Sequence, residues 1–308
     1  MRVRSLSFIG IILFLILLFK LQPTNVVRII LEANITYFIA SLLVFPVLFL
    51  VAGLKWKIIV DAHGLNCSFR RTLIASIVGY TAGVLTPGRL GDFVKALYLK
   101  PLGKAVSTVF VEKVLSVISV LLIALVCTPT ALKVRFELTI VLLTGIIASS
   151  ILLFLIGKRD RHELEFFFKF IPESMRGSLK NAFDEFLEGL FIANEKKLLL
   201  LMAFLLSILH WVLGSLQVYL LASSLGVNVG FISILAMVCL AVALSFLPVS
   251  IFGIGTRDVT YVLFLTQLGI DAVRALSLSI LAMFLYVSTV PLGITLWYLY
   301  PPSFKNIH

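Results

Sequence analysis

Charge is scarce in this sequence: Asp, Glu, Lys and Arg make up 13% of its 308 residues, against about 25% in ordinary soluble domains. Hydrophobic residues make up 60%, and the mean hydropathy is +1.12. An ordinary soluble fold is therefore excluded, and the composition predicts an all-α, polytopic protein of the cell membrane. The formal net charge of +11 indicates loops that face anionic lipid headgroups, so we expect no nucleic-acid partner.

The signatures of soluble enzymes are also absent. The sequence contains no GxxxxGK[ST], HExxH or GxSxG pattern, and no GxGxxG pattern follows a strand. Its three cysteines and four histidines are scattered without CxxC or metal-ligand spacing. We therefore expect no metal, no cofactor and no disulfide framework, and the sequence does not indicate an enzyme.

Long apolar runs predict six full transmembrane helices, at about 20 residues per crossing. They are residues 5–21, 35–54, 105–127, 138–157, 198–225 and 272–300. Two further apolar regions, 72–99 and 231–269, are interrupted by proline and glycine and predict re-entrant or broken helical hairpins. The chain is accordingly expected to form a single transmembrane domain over residues 1–308.

Positively charged segments predict the orientation of this domain. Residues 55–71 and 158–197 are rich in lysine and arginine, so we expect both on the cytoplasmic side, together with both termini. Phenylalanines and charges alternate at helical spacing in 158–197, which predicts an amphipathic segment on the inner interface. The two hairpins would then enter from opposite faces, as in an inverted repeat.

Two short motifs interrupt the hairpins, LTPGRLGDFVKALYL at 85–99 and FGIGTRDVTYVLFL at 252–265. Their expected structural breaks are Pro87, Gly88 and Gly91 in the first region and Pro248, Gly253 and Gly255 in the second. Proline ends a helix, and glycine permits close backbone approach or a positive φ. Backbone that leaves the helix at membrane depth must be buried in protein or line a wet cavity, so each break is a candidate functional site.

Each motif also carries an arginine and an aspartate. Asp92 is predicted to cap the half-helix that follows the first break, with Lys95 one turn further on, and Thr256 is predicted to cap the second. Arg89 and the pair Arg257–Asp258 would then lie beside helix N-termini, which favour an anion such as a phosphate diester. Alternatively, each arginine pairs with its own aspartate and holds the break together.

Polar side chains also occur inside predicted spans. Glu112 and Lys113 are adjacent, and neighbouring residues on a helix point about 100° apart, so we expect them to reach separate partners. His210 is expected to be a hydrogen-bonded core histidine, and Gln217, two turns further on, is expected to share its face.

Taken in order, these motifs and VFVEKVLSVISVLL at 109–122 resemble the membrane region of the lysylphosphatidylglycerol synthase family. The resemblance covers most of the chain, and it implies a flippase-like membrane domain that stands alone, without a synthetase domain. The family pattern usually has glutamate where Asp92 and Asp258 stand and arginine at Lys113. A glycine is common where Phe252 stands.

The leading hypothesis is translocation or binding of an anionic lipid in a midplane cavity. The candidate substrate-binding residues are Arg89, Asp92, Lys95, Glu112, Lys113, Arg257 and Asp258. Two alternatives stay open: a non-catalytic membrane partner of a separate soluble synthetase or glycosyltransferase, and a membrane transferase acting on a lipid-linked substrate. The transferase would need Asp92 or Asp258 as its base.

Overall fold

Every regular element in the described part of the chain is a helix. The structure, a computed structural model, describes residues 12–132, 144, 173–245 and 253–302. The helices are α1 (Ile12–Lys20), α2 (Pro23–Leu31), α3 (Ile35–Ala62), α4 (Phe69–Val84), a 3₁₀ helix (Pro87–Tyr98), α5 (Leu102–Leu132), α6 (Glu173–Glu195), α7 (Lys197–Ser224), α8 (Phe231–Ser245), α9 (Thr256–Gln267), α10 (Ala272–Val287) and α11 (Val290–Leu299). The predicted all-α class is confirmed.

Four stretches are long and apolar enough to cross a membrane: Ile35–Ala62, Leu102–Ala131, Lys197–Ser224 and Ala272–Leu299. They confirm the spans predicted at 35–54, 105–127, 198–225 and 272–300. Each contains at least 28 residues, which at about 1.5 Å per residue exceeds the roughly 30 Å hydrocarbon core, so these helices have room to tilt.

The first predicted crossing, 5–21, ends at a sharp bend. α1 ends at Lys20, and α2 leaves it at 82°. Gln22 has a φ of 60°, and Pro23 begins the new helix with a fixed φ, so the chain turns between them. By length and composition, the described residues therefore contain four candidate crossings, or five if the bent pair is one span. The predicted span 138–157 lies outside the described residues.

The outer surface of the helix bundle is apolar, as lipid requires. Leu43 on α3 and Leu205 on α7 are 67% and 55% exposed, which would be unfavourable in water but not against lipid tails. The two helices pack along each other, and the buried Gln217 amide donates to the Ser41 carbonyl at 3.0 Å. Leu221, next on the same face, is fully buried in the main core.

α4 and the 3₁₀ helix form the first predicted hairpin. Gly79 lies beside Lys95, and Gly83 beside Asp92, so the two arms run antiparallel around Pro87. The Thr86 hydroxyl holds the turn, because it accepts from the Gly91 N–H at 2.7 Å and donates to the carbonyl of Ala82 at 3.0 Å.

One detail of this hairpin was predicted wrongly. The helix after the break begins at Pro87 and is a 3₁₀ helix, so Asp92 lies inside it and is not its N-cap. At three residues per turn, side chains three apart are eclipsed, which places Asp92, Lys95 and Tyr98 in one row. An α-helix would have spread the same residues around its surface.

The second predicted hairpin is described only in its arms, α8 and α9, which pack against each other. Pro248 lies outside the described residues. Gly253 and Gly255 have φ values of 71° and 85°, a region where glycine has no steric cost. Gly255 is the N-cap of α9, so the prediction that Thr256 caps this helix was wrong. The Asp258 carboxylate accepts from the Gly255 N–H at 2.8 Å and closes the first turn.

The predicted amphipathic segment 158–197 is described from residue 173, where α6 begins. α6 packs against the N-terminal end of α5: Lys104 Nζ lies 2.7 Å from the Glu188 carboxylate, and the Gly103 N–H donates to Glu185 at 2.9 Å. This contact ties α6 to the helix bundle. Its expected place at the cytoplasmic interface stays a prediction.

Candidate functional site

A buried carboxylate on α5 joins two other elements. Glu112 forms an ion pair with Lys95 of the 3₁₀ helix and a second with Lys55 of α3, whose Nζ lies 3.1 Å from Oε1. Lys55 also donates to Ser116 at 3.2 Å, and Lys95 Nζ lies 5.3 Å from the centre of the Trp56 ring. Both lysines and Glu112 are at most 8% exposed. The pairing compensates charges whose burial alone would be costly.

Lys55 is a site residue that the sequence did not indicate. We assigned it to a cytoplasmic loop at 55–71, but α3 continues to Ala62 and carries Lys55 into the protein interior, where it is 4% exposed. The apolar run ends near residue 54, so hydropathy alone placed the boundary too early. The sequence did contain a signal that the helix continues: apolar residues, Trp56 and Ile58–Val60, follow Lys55. A helix that continues through these residues packs its apolar face against the protein interior.

A second carboxylate, Asp92, lies on the 3₁₀ helix one turn before Lys95. Asp92 accepts a hydrogen bond from Lys113 of α5, while Arg89 Nε is 4.0 Å from Asp92 Oδ2. The predicted Arg89–Asp92 pair is therefore the longer of the two contacts. Glu112 and Lys113 reach different partners, as their adjacent positions on α5 predicted.

Arg89 occupies the turn of the first hairpin. Its φ is 55°, a left-handed conformation that a non-glycine residue adopts at a cost of roughly 1–3 kcal/mol. Its guanidinium carbon lies 5.2 Å from the centre of the Tyr80 ring, and its side chain is 31% exposed. The side chain is thus held on an aromatic face without being enclosed.

The charges of this ionic cluster do not cancel. Among the described residues, it contains four cations (Lys55, Arg89, Lys95 and Lys113) and two carboxylates (Asp92 and Glu112). An excess of two positive charges therefore remains in a region of low dielectric constant. Such an excess favours an anion in the adjoining space.

The second motif forms a more compact cluster. Arg257 Nη2 lies 3.2 Å from Asp258 Oδ1, and its Nε donates to the Ser279 hydroxyl at 2.9 Å. Ser279, from α10, donates in turn to Asp258 at 2.5 Å. Asp258 is fully buried and Arg257 is 7% exposed. The local Arg–Asp tie, which was the alternative prediction here, is present. Ser279 was not predicted, because a serine within an apolar span carries no distinguishing signal.

One cavity adjoins both motifs. It measures about 170 Å³, and its wall includes Arg89 from the first motif and Arg257 from the second. His210 and Gln217 of α7 lie in the same wall, so these two residues share a face as predicted. In the part of the chain that is described, the cavity is not lined by Asp92, Lys95, Glu112, Lys113 or Asp258.

His210 does not have the hydrogen bond that we expected of it. Among the described residues, its Nδ1 atom is buried without a partner. Over those same ranges, no three His, Cys, Asp or Glu side chains are grouped as a metal site requires.

The fold and site together define a polytopic helical membrane protein with a cationic cavity inside its helix bundle. Residues 6–293 match the family described as the lysylphosphatidylglycerol synthase TM region, and the chain belongs to that family. It is 23% identical over 303 residues to a UPF0104 membrane protein of Pyrococcus horikoshii, covering 90% of each chain. It is also 21% identical over 287 residues to a UPF0104 membrane protein of Methanothermobacter thermautotrophicus, covering 85% of each chain.

Proposed function

We propose that the protein binds an anionic lipid headgroup in the cavity between its two hairpins and moves it across the membrane. The observation that carries this proposal is that Arg89 and Arg257 line one cavity. A guanidinium group presents several N–H donors in a planar fork, which suits the oxygens of a phosphate diester.

The size of the cavity supports a headgroup as its ligand. Its volume of about 170 Å³ is smaller than the roughly 300–1,000 Å³ of pockets that enclose drug-sized molecules. A phosphate-bearing headgroup therefore fits better than a whole lipid. The acyl chains would stay in the bilayer, next to the apolar outer faces of the helices.

The remaining candidate residues would act by positioning. Lys95 and Glu112 fix the 3₁₀ helix to α5, and Lys113 occupies the carboxylate that would otherwise neutralise Arg89. Because Asp92 is shared, Arg89 keeps positive charge to offer to a phosphate. Asp258 instead pairs with Arg257 directly, at 3.2 Å from Nη2, and would hold that guanidinium at the cavity wall.

The arrangement does not favour the transferase alternative. A general base must be able to accept a proton from the substrate. Asp92 is occupied by Lys113, and both oxygens of Asp258 already accept hydrogen bonds. Neither carboxylate lines the cavity among the described residues. Translocation needs no base, so it is the function that we propose.

Lipid movement in proteoliposomes tests the proposal. Purified protein is reconstituted with tail-labelled phospholipids, and dithionite reports the label that reaches the outer leaflet. Arg89→Ala should abolish the protein-dependent rate, and Arg89→Lys should restore only part of it, because lysine lacks the fork. Arg28→Ala is the matched control, since that arginine is exposed on α2. Wild-type rates in Arg89→Ala would overturn the proposal.

A further inference from the structure

His210 is a titratable group of the cavity wall that the two motifs do not explain. It stands on α7 and lines the cavity together with Arg89 and Arg257. Its ring lies edge-to-face against Trp211, with the ring centroids 5.6 Å apart and the planes at 83°, a contact that helps to orient the imidazole. Within the described residues, its Nδ1 atom is buried without a hydrogen-bond partner. A buried polar atom of this kind is rare and needs an explanation.

The charges that surround His210 are mostly positive. α7 packs against α3, α5, α8 and α10, and it meets α6 near Leu200, almost three turns before His210. Among the described residues, the charged groups that act on His210 most strongly are three cations and one carboxylate: Lys55, Arg89, Lys95 and Glu112. A proton on His210 would add to this positive excess, and a bound anion would offset it.

The other titratable groups around the cavity keep their charge over the pH range in which histidine titrates. Tyr80, Tyr261 and Tyr286 line the cavity from α4, α9 and α10, and phenols ordinarily stay neutral below about pH 10. α8 brings Cys239, which packs in an apolar cluster. Guanidinium groups stay protonated throughout. Within the described wall, His210 is therefore the side chain whose charge can change between about pH 5 and pH 8.

An anion in the cavity and a proton on His210 should support each other. The phosphate of the proposed ligand meets Arg89 and Arg257 in the same cavity. Its negative charge favours the imidazolium form of His210, and by thermodynamic linkage the imidazolium favours the anion to the same extent. A protonated imidazole also donates from both ring nitrogens, so Nδ1 carries a hydrogen that a phosphate oxygen can accept.

We infer that His210 takes up one proton when the cavity binds a singly charged phosphate diester, so that the lipid and the proton cross the membrane together. This inference rests on the proposed function, because the anion occupies the same cavity. The pair has no net charge, since one negative and one positive charge travel together. A difference in pH across the membrane would then drive the lipid toward the side of higher pH, because protons move in that direction.

Calorimetry of anion binding tests the proton uptake. The probe is dibutyl phosphate, a diester that keeps its single negative charge from pH 5 to pH 8. Purified protein is titrated with it in buffers that differ in ionisation enthalpy, and the variation of the observed heat gives the number of protons taken up. The wild-type uptake should reach about 0.5–1 proton per bound anion, and over that pH range Kd should rise by up to about tenfold per pH unit.

Two variants assign the proton to His210. His210→Gln keeps a polar side chain that cannot be protonated, so its uptake should fall to zero. His63→Gln is the matched control, because His63 is also a buried histidine but does not line the described cavity, and its uptake should equal that of the wild type. Melting temperatures show whether His210→Gln folds.

A further variant keeps the assignment testable if His210→Gln does not fold. Replacement of His63, His162 and His308 by glutamine leaves His210 as the one histidine of the sequence. This protein should take up the proton as the wild type does. Loss of the uptake in this variant would assign the proton to another histidine and would overturn the inference.

A pH gradient across proteoliposomes tests the coupled movement. The lipid probe is a trace of tail-labelled phosphatidylethanol, whose phosphate diester is the one charged group of its headgroup. With a difference of one pH unit, the probe should accumulate about tenfold in the leaflet that faces the higher pH, the ratio expected for one proton per lipid. A potassium diffusion potential without a pH difference should leave the distribution even, because the pair is neutral. Protein-free liposomes are the control.

The outcomes distinguish this inference from the proposed function. Anion binding without proton uptake, uptake that persists in His210→Gln, or a lipid distribution that does not respond to the pH gradient would overturn the proton site. Loss of lipid movement in Arg89→Ala would still support transport in each of these cases. If dibutyl phosphate does not bind and the wild-type protein moves no lipid, both fail.

Discussion

Arg89 and Arg257 line the same cavity, although one stands in the turn of the first hairpin and the other in the first turn of α9. Each has an aspartate on its own element, but the two pairs differ. Arg257 Nη2 is 3.2 Å from Asp258, whereas Arg89 Nε is 4.0 Å from Asp92, which also binds Lys113. The uncompensated positive charge therefore lies on the Arg89 side, where an anion would bind most favourably.

Replacing Glu112 should destabilise the protein strongly. Glu112→Gln leaves Lys55 and Lys95 buried without a carboxylate, which is expected to lower the free energy of unfolding by about 3–5 kcal/mol. Adding Lys95→Met removes one of the two unpaired cations and should recover part of that loss. Thermal unfolding in detergent measures both changes. Glu32→Gln, at an exposed ion pair on α2, should behave as wild type, and equal melting temperatures for the two glutamine variants would contradict this account.

Glycines in the first hairpin should tolerate no added methyl group. A Cβ at Gly83 would overlap the Asp92 carboxylate, and one at Gly91 would overlap the Ala82 backbone carbonyl. Gly91→Ala is expected to cost about 1–3 kcal/mol, and Gly83→Ala less, because a carboxylate can move more easily than a backbone.

Gly214→Ala is the matched control for these two variants. A Cβ there meets nothing within 4 Å, and alanine in a helix interior is more favourable than glycine by about 1 kcal/mol. This variant should therefore be at least as stable as wild type in the same unfolding assay. Loss of stability in Gly214→Ala comparable to that in Gly91→Ala would show that the close packing is misassigned.

These glycines show how far the sequence could predict the fold. Hydropathy predicted four described spans and both interrupted regions, because apolar length and Pro–Gly breaks are visible in the chain itself. It did not predict the 3₁₀ helix that aligns Asp92 and Lys95, since helix type depends on the packing of α4 against it. Lys55 and Ser279 were likewise not predicted as site residues, because their roles depend on contacts between segments that are distant in the chain.

His63 should make the stability of the protein depend on pH. It follows α3, is 1% exposed, and its Nδ1 donates to the Ile59 carbonyl at 2.8 Å. Burial is the main cause that lowers the pKa of His63 below its ordinary value of 6.5, and the nearby Lys196 lowers it further. The folded protein therefore holds His63 neutral, while the unfolded chain takes up a proton below about pH 6.5.

The melting temperature should consequently fall as the pH decreases below 6.5, with no contribution from His63 at higher pH. His63→Gln should lose this part of the pH dependence while other titrating groups keep theirs. The measurement is the difference between the two melting curves from pH 5 to pH 8. Parallel curves would show that His63 is not held neutral in the folded state.

The orientation in the cell membrane is also a prediction, with both termini cytoplasmic. In a variant lacking the native cysteines, Asn228→Cys should react with a membrane-impermeant thiol reagent from outside the cell. Phe170→Cys should react only after the membrane is opened, because the positively charged segment 158–197 is expected inside. The reverse labelling pattern would invert the topology and the entry sides of both hairpins.

Blocking the cavity tests the central claim most directly. Gly214 lines it and has open space where a side chain would begin, so Gly214→Leu should fill the cavity without disturbing the packing of α7. Gly214→Ala adds only a methyl group at the same position. Dithionite-measured lipid movement should be near wild type in Gly214→Ala and abolished in Gly214→Leu, with both proteins folded by their melting temperatures. Unchanged lipid movement in a folded Gly214→Leu protein would show that the headgroup does not pass through this cavity.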